Sequence, residues 1–278
     1  MKISRRAFQW LLALCFVSAA GAAAVLAQDA QDTPKPFVPF EGQEGKDVVW
    51  VPTPGVLVEK MLDLAKVTPQ DYVMDLGSGD GRNIIAAARR GARALGVEYN
   101  PDMVELSRRE AEKQGVADKA QFVQGDMYEA DISQATVMAL FLLPDNLEKL
   151  TPKFLDLKPG SRMVLNGFAV PGWEADVTER AEGDCGSWCT AMLYIVPARV
   201  AGTWRLPQGE LRLEQKFQML TGTLTRGGNR TPIKDGRLRG EEISFMAGGT
   251  KYVGRVKGDA ISGANGTWTA TRIRSKLQ

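Results

Sequence analysis

From residue 71 onward, short apolar runs alternate with longer stretches of helical period. Tyr72–Leu76 (YVMDL) reads as a buried strand, and Asn83–Arg90 is an Ala-rich helix with Gly91 placed to end it. Ala94–Glu98 is a second strand. Asn100 caps and Pro101 opens a helix that stops near Gly115. Gln121–Gln124, Thr136–Phe141 and Arg162–Phe168 read as three further strands. This alternation predicts an α/β unit with a doubly wound, Rossmann-like parallel sheet, whose ligand sits beyond the carboxyl ends of the strands.

After Trp173 the helical period fades. Asp176–Arg180 and Thr190–Val196 fit an antiparallel pair closing the same sheet. From about Val200 the chain turns to Gly, Thr and short alternating runs. Gly236–Phe245 (GRLRGEEISF) echoes Gly254–Gly263 (GRVKGDAISG), each a strand, a turn and a strand. The expectation is a small antiparallel all-β meander or barrel, with Trp204 and Trp268 meeting in its core. Arg226, Arg230, Lys234, Arg237 and Arg239 are read as a solvated basic face. Four segments result: a signal peptide (1–27), a linker (28–47), a ligand-binding domain (48–198) and a β domain of unknown role (199–278).

The N-terminus reads as an address. Lys2, Arg5 and Arg6 precede an apolar run over Leu11–Ala27, and Val25-Leu26-Ala27 sets small residues for cleavage before Gln28. Arg5-Arg6, with Ser4 before and Phe8 after, resembles a twin-arginine export signal. Export to the periplasm is expected; the alternative is an uncleaved membrane anchor. No stable transmembrane segment is expected once the signal is removed. Export makes a Cys185–Cys189 disulfide the expected state of those thiols.

Composition narrows the chemistry. The chain has 278 residues, a formal charge of +2 and no histidine. Histidine bases, Ser-His-Asp triads and His-containing zinc sites are excluded. Two thiols leave a zinc shell incomplete, so no metal is expected, and nothing in the charge balance calls for nucleic acid.

The first strand runs into Asp75-Leu76-Gly77-Ser78-Gly79-Asp80-Gly81-Arg82. Alternate glycines let the backbone turn sharply and approach a ligand closely. The helix that follows offers its N-terminal amides to an anionic group. Glu98, 21 residues after Gly77, is placed to accept two ribose hydroxyls. Asp126 can accept from an adenine amino group while Met127 packs on the ring. Tyr99 borders the same place. The G-x-G-x-G form differs from the G-x-G-x-x-G of nicotinamide-dinucleotide domains, and Asp75 before it favours S-adenosylmethionine (SAM).

Val51-Pro52-Thr53-Pro54 and the run DLGSGDGRNIIAAARRGARALGVEYNP resemble the class I (seven-strand) methyltransferases. More narrowly they resemble the mitochondrial protein-lysine methyltransferases acting on the ATP synthase c-subunit and the adenine nucleotide translocase, with their bacterial relatives. The resemblance covers about Val48 to Trp173. It implies SAM as cofactor, with Asp75, Gly77, Gly79 and Asp80 at its methionine part, Glu98 at the ribose and Asp126 at the adenine. It also brings Thr53 to the SAM carboxylate or the reacting centre. Asp80 is alternatively a helix cap. Trp50, Phe141 and Trp173 are the further candidates for an acceptor channel. Three functions stand: an exported methyltransferase for a protein lysine or other amine, one for a small molecule, and a SAM-binding protein without turnover whose β domain binds a partner.

Overall fold

A computed structural model describes residues 37–274. The signal and the start of the linker lie outside the described residues. Among those described, no helix is long and apolar enough to cross a membrane.

The first part of the fold holds α1 (Gly55–Leu64), β1 (Tyr72–Leu76), α2 (Arg82–Arg89), β2 (Arg93–Glu98), α3 (Pro101–Lys113), β3 (Ala120–Gln124), β4 (Val137–Leu140), α4 (Pro144–Leu155), β5 (Arg162–Asn166), β6 (Val177–Arg180) and β7 (Thr190–Ile195). The strands form one sheet in the order β3-β2-β1-β4-β5-β7-β6, and only β7 runs antiparallel to its neighbours. β1, β4 and β5 are buried on both faces, which is why they read as unbroken apolar runs. Their side chains alternate between two cores. Val73, Val137 and Val164 pack with Leu57 and Met61 of α1 and Ile84 of α2. Met74, Met138 and Met163 pack with Leu147, Leu150 and Phe154 of α4.

The predicted strands and the two helices around Asn83 and Pro101 are all present. The cap is as expected: Asn100 Oδ1 accepts the N–H of Asp102 at 2.9 Å. α1 and α4 are additional to the elements expected above.

The amino ends of the strands are tied together by Asp71. Its carboxylate accepts from the Thr68 N–H at 2.8 Å, from the Thr136 hydroxyl at 2.8 Å and from the Arg162 guanidinium. Burial alone would raise this carboxyl; the donors from Thr68, Thr136 and Arg162 outweigh it and hold it below the usual carboxylate range. A lowered folded-state pKa means stability that is present above the unfolded value and lost as pH falls through the folded one. Asp71→Asn is therefore expected to cost about 2 kcal/mol at pH 7 and progressively less below about pH 4, measured by urea unfolding across that range. A cost that does not change with pH would refute the assignment.

The second part is all β: β8 (Gly202–Leu206), β9 (Gly209–Lys216), β10 (Met219–Arg226), β11 (Asn229–Pro232), β12 (Lys234–Arg239), β13 (Glu242–Ala247), β14 (Thr250–Lys257), β15 (Ala260–Gly263) and β16 (Thr269–Arg272). β8, β9, β10 and β12 to β16 pair in sequence, and β16 pairs back on β8, closing an antiparallel barrel. β11 is a flap on the far end of β10. The echoed segments are the β12–β13 hairpin up to Phe245 and the β14–β15 hairpin from Gly254. The barrel interior is filled by side chains. Phe245 stacks on Tyr252 at 4.8 Å, with Trp268 edge-on to both. Trp204 shares this core but does not pair with Trp268. Its Nε1 donates to the Val200 carbonyl at 2.8 Å, and the Arg272 guanidinium lies 4.3 Å from its ring centroid.

Two expectations fail at the joint between the parts. Trp173 is 2% exposed; it stacks on Phe217 of the β9–β10 turn at 5.1 Å and meets Tyr194 edge-on. It joins the sheet to the barrel and is not part of a channel. Arg237 does not belong to a solvated face: it pairs with the buried Asp176 carboxylate at 3.1 Å. Gln218 Nε2, donating to the Glu174 carbonyl at 2.7 Å, completes the joint.

Cys185 and Cys189 form a disulfide in the β6–β7 hairpin loop, with Cα atoms 5.2 Å apart. So short a loop gains about 2 kcal/mol in the chain-entropy account.

Candidate functional site

The cleft opens at the carboxyl ends of β1, β2, β4 and β5, where a doubly wound sheet places its ligands. The chain leaves β1 through Gly77, Gly79 and Gly81, at φ of 70°, 56° and 80°. This left-handed region is open to glycine and costly for other residues. The amides of Gly77 and Ser78 donate to the Val97 carbonyl at 2.8 and 3.1 Å, which locks the loop onto β2. A Cβ on Gly77 would meet nothing closer than Leu142 at 3.6 Å, so this glycine opens onto the cleft. Gly81 does not line it. A Cβ there would lie 2.7 Å from the Phe122 ring, and Gly81 is itself the N-cap of α2. Its role is close packing of helix on sheet.

Glu98, at the end of β2, faces the loop. One carboxylate oxygen accepts the Gly79 N–H at 2.8 Å and the other the Asn100 N–H at 2.9 Å. Each oxygen keeps a lone pair for a ligand hydroxyl. Asp75 is 3% exposed, and Asn83 Nδ2 donates to one of its oxygens at 2.9 Å. The other oxygen is buried with no partner among the described residues. Burial pushes the Asp75 carboxyl well above the ordinary carboxylate range, opposed by the Asn83 amide. An unpaired buried acceptor of this kind calls for a donor from a ligand.

Asp80 precedes the N-cap residue Gly81, yet its Oδ1 accepts, at 3.4 Å, the Arg82 N–H that opens α2, and the carboxylate is not free. Arg82 holds its carboxylate through both Nε, at 2.9 Å, and a terminal nitrogen. The same guanidinium donates to the Thr53 carbonyl at 2.6 Å, and Thr53 is 3% exposed. Arg82 thereby fastens the preceding segment to the loop. That segment, from Gln43 to Thr53, lines the cleft along its length. It is closed on itself by Gly42 N–H to the Trp50 carbonyl at 2.8 Å and Trp50 N–H to the Gln43 carbonyl at 2.9 Å. The Trp50 indole lies on Gly79, where a Cβ would come within 2.6 Å of its Nε1.

At one end of the cleft stand Tyr99, Asp126 and Met127. Lys46 pairs with Asp126 and lies 5.1 Å from the Tyr99 ring centroid. The hydrogen bond from Lys46 holds the Asp126 carboxyl below its usual range, and the same bond raises the lysine. At the other end Phe141, Phe168 and Trp188 form an aromatic wall. The Phe141 and Phe168 centroids lie 4.9 and 5.5 Å from that of Trp188.

The sequence thus brought most of its candidates to one place: Trp50, Thr53, Asp75, Ser78, Asp80 and Phe141 join the residues above along the cleft. Lys46, Asn83, Phe168 and Trp188 are among the lining residues it missed. Phe168 carried a signal, since it follows β5 as Phe141 follows β4. Trp188 carried one too, as a large aromatic enclosed by two cysteines.

Comparison with known proteins accords with this geometry. A model of the ANTKMT methyltransferase domain matches residues 75–177. A protein-lysine N-methyltransferase of Saccharolobus islandicus is 42% identical over 153 residues, which is 54% of this chain and 94% of that protein. The ATP synthase c-subunit lysine N-methyltransferase of Rattus norvegicus is 33% identical over 51% of this chain and 60% of its own length. Among solved structures, an RNA methyltransferase of Salinibacter ruber in complex with S-adenosyl-L-homocysteine (SAH) is 45% identical. It matches with a TM-score of 0.51 over 54% of this chain and 96% of that one. Sheet order, cleft and matches together define a SAM-dependent methyltransferase, with SAM as its cofactor. Within that class, the chain belongs to the ANTKMT methyltransferase family.

Proposed function

We propose that this protein transfers the methyl group of SAM to the side-chain amine of a lysine in a protein acceptor, outside the cytoplasm. The observation that carries the acceptor class is the make-up of the cleft. Its lining carboxylates, Glu44, Asp47 and Asp80 among them, outnumber its cations Lys46 and Arg82, and one end is aromatic. An acidic mouth attracts a cationic side chain and repels a phosphate backbone. The names of the archaeal and rat relatives point the same way.

The residues present fit SAM. Glu98 would hold the ribose hydroxyls, and the unpartnered Asp75 oxygen would accept from the methionine amino group, beside Gly77, Ser78, Gly79 and Asp80. Tyr99, Asp126 and Met127 would border the adenine, with Lys46 displaced from or sharing the Asp126 carboxylate. SAM supplies an electrophilic methyl on a sulfonium, so the chain itself need only position the acceptor and exclude water. The amine lone pair forms the new N–C bond as the S–C bond breaks, and a proton leaves the nitrogen. That explains how a chain without histidine can serve.

The name of the Salinibacter ruber relative supports a second reading, an RNA acceptor. Export rests on the Arg5-Arg6 signal pattern and on the Cys185–Cys189 disulfide. One experiment tests the whole reading. The protein is purified from the periplasm, its N-terminus is read, and it is incubated with methyl-labelled SAM and separate protein, RNA and small-molecule fractions. An N-terminus at Gln28 and label on lysine are expected. Label in RNA or in a small molecule replaces the acceptor, an intact Met1 replaces cleavage with an uncleaved membrane anchor, and failure to recover the protein outside the cytoplasm removes the export.

A further inference from the structure

We infer that Trp188, with Phe141 and Phe168, forms the subsite that receives the acceptor's aliphatic amine, and that the Cys185–Cys189 disulfide positions Trp188 for that task. The inference rests on the lysine reading above and assigns its acceptor subsite. Three elements contribute one ring each: the segments after β4 and after β5, and the β6–β7 loop. All three rings are half-buried and line the cleft. Tyr99 and Asp126 occupy the opposite end and Glu98 the middle. With Asp126 and Glu98 holding the adenine and ribose, the rest of the cleft, past Asp75 and Gly77 to the aromatic wall, would be left to the methionine part and the acceptor.

The chemistry of the wall suits an amine. A lysine must lose its proton before it can attack, and an apolar enclosure disfavours the charged form. Ring faces also attract alkylammonium groups, which keeps a partly methylated amine in place for a further round. Glu182 and Asp184, exposed on the same loop as Trp188, add negative charge at the approach.

The indole lies on Gly167, where a Cβ would come within 3.0 Å of it, and packs against the core beside α1, while the loop that carries it is loosely built. Gly183 and Gly186 stand at φ of 101° and 52°. Hydrogen bonds tie Trp188 N–H to the Cys185 carbonyl at 2.9 Å and Ala181 N–H to the Cys189 carbonyl at 2.8 Å. The disulfide joins Cys185, the first residue of this turn, to Cys189 directly after it. Reduction leaves the indole its packing but removes the covalent tie of a glycine-rich loop, so the ring is held less firmly on the wall.

The test uses the whole mature protein saturated with SAH, and n-pentylamine as a lysine side chain without its backbone. Calorimetry gives amine affinity, and a separate titration gives SAH affinity. Trp188→Ala is expected to weaken the amine about tenfold, and Trp188→Phe to restore most of that loss. Cys185→Ser/Cys189→Ser, and wild type under mild reductant, are expected to weaken the amine about threefold, with SAH affinity unchanged throughout. Equal amine affinity in all forms overturns the inference. So does a parallel loss of SAH affinity in Trp188→Ala, which would assign the ring to the cofactor. Wild type that binds SAH but no amine overturns the subsite alone, whereas wild type that binds no SAH overturns the reading beneath it. The reduced wild type keeps the test open if a variant fails to fold.

Discussion

Glu98→Ala is expected to raise the dissociation constant for SAH about a hundredfold, measured by calorimetry on the folded protein. The carboxylate already accepts the Gly79 and Asn100 amides. Two ribose hydroxyls donating to the same charge would add two hydrogen bonds of about 1.5 kcal/mol each at the low end of the charge-assisted range. Losing both corresponds to about two powers of ten in affinity. The substitution also leaves the Gly79 amide without its acceptor, so the glycine loop loses a tether as well as a ligand group. Glu98→Gln keeps the shape and one acceptor, and should fall between wild type and Ala. A change smaller than about threefold would remove Glu98 from the ribose.

Trp204→Ala should have the largest effect on stability, about 3–5 kcal/mol by urea unfolding, the usual range for truncating a large buried aromatic. The side chain is 0% exposed. It stands where the barrel closes, and the β16–β8 seam has a register of only two pairs, Thr271 with Arg205 and Arg272 with Trp204. Truncation removes the ring under the Arg272 guanidinium and the donor to Val200 in the same step. A loss below about 1 kcal/mol would show that the seam holds without it.

The parts of the fold that were legible in the sequence are those whose cause is local. β1 is a buried run ended by glycines, and α3 begins with a capping Asn and a Pro, so both announce themselves. α4 does not, because Pro152 lies inside it and breaks the expected pattern. α1 buries Leu57, Val58, Met61 and Leu62, a readable spacing, but no side-chain cap marks its start at Pro54. In the site, the glycine loop and its carboxylates sit at strand ends, where spacing along the chain translates into place. Trp173 and Trp188 look alike in sequence, both aromatic in loops after β5. Only the tertiary packing sends one under the barrel and the other to the cleft. Lys46 belongs to a segment that reaches the cleft by folding back over it, and its pairing with Asp126 spans 80 residues that no periodicity connects.

The stacking of Trp173 on Phe217 has a consequence for engineering. Phe217 holds a left-handed backbone, φ 52°, at the tip of a hairpin, a conformation costly for an aromatic residue. The turn presents its ring outward at that cost, and the indole on the other side is its counterpart. The Saccharolobus islandicus relative is matched over 94% of its length by little more than half of this chain. Cutting the barrel off this chain would bare the Trp173 indole and strand the Asp176 carboxylate without Arg237. The barrel is therefore a lid on its host's hydrophobic seam, and a minimal version of this enzyme needs a redesigned surface there rather than a stop codon.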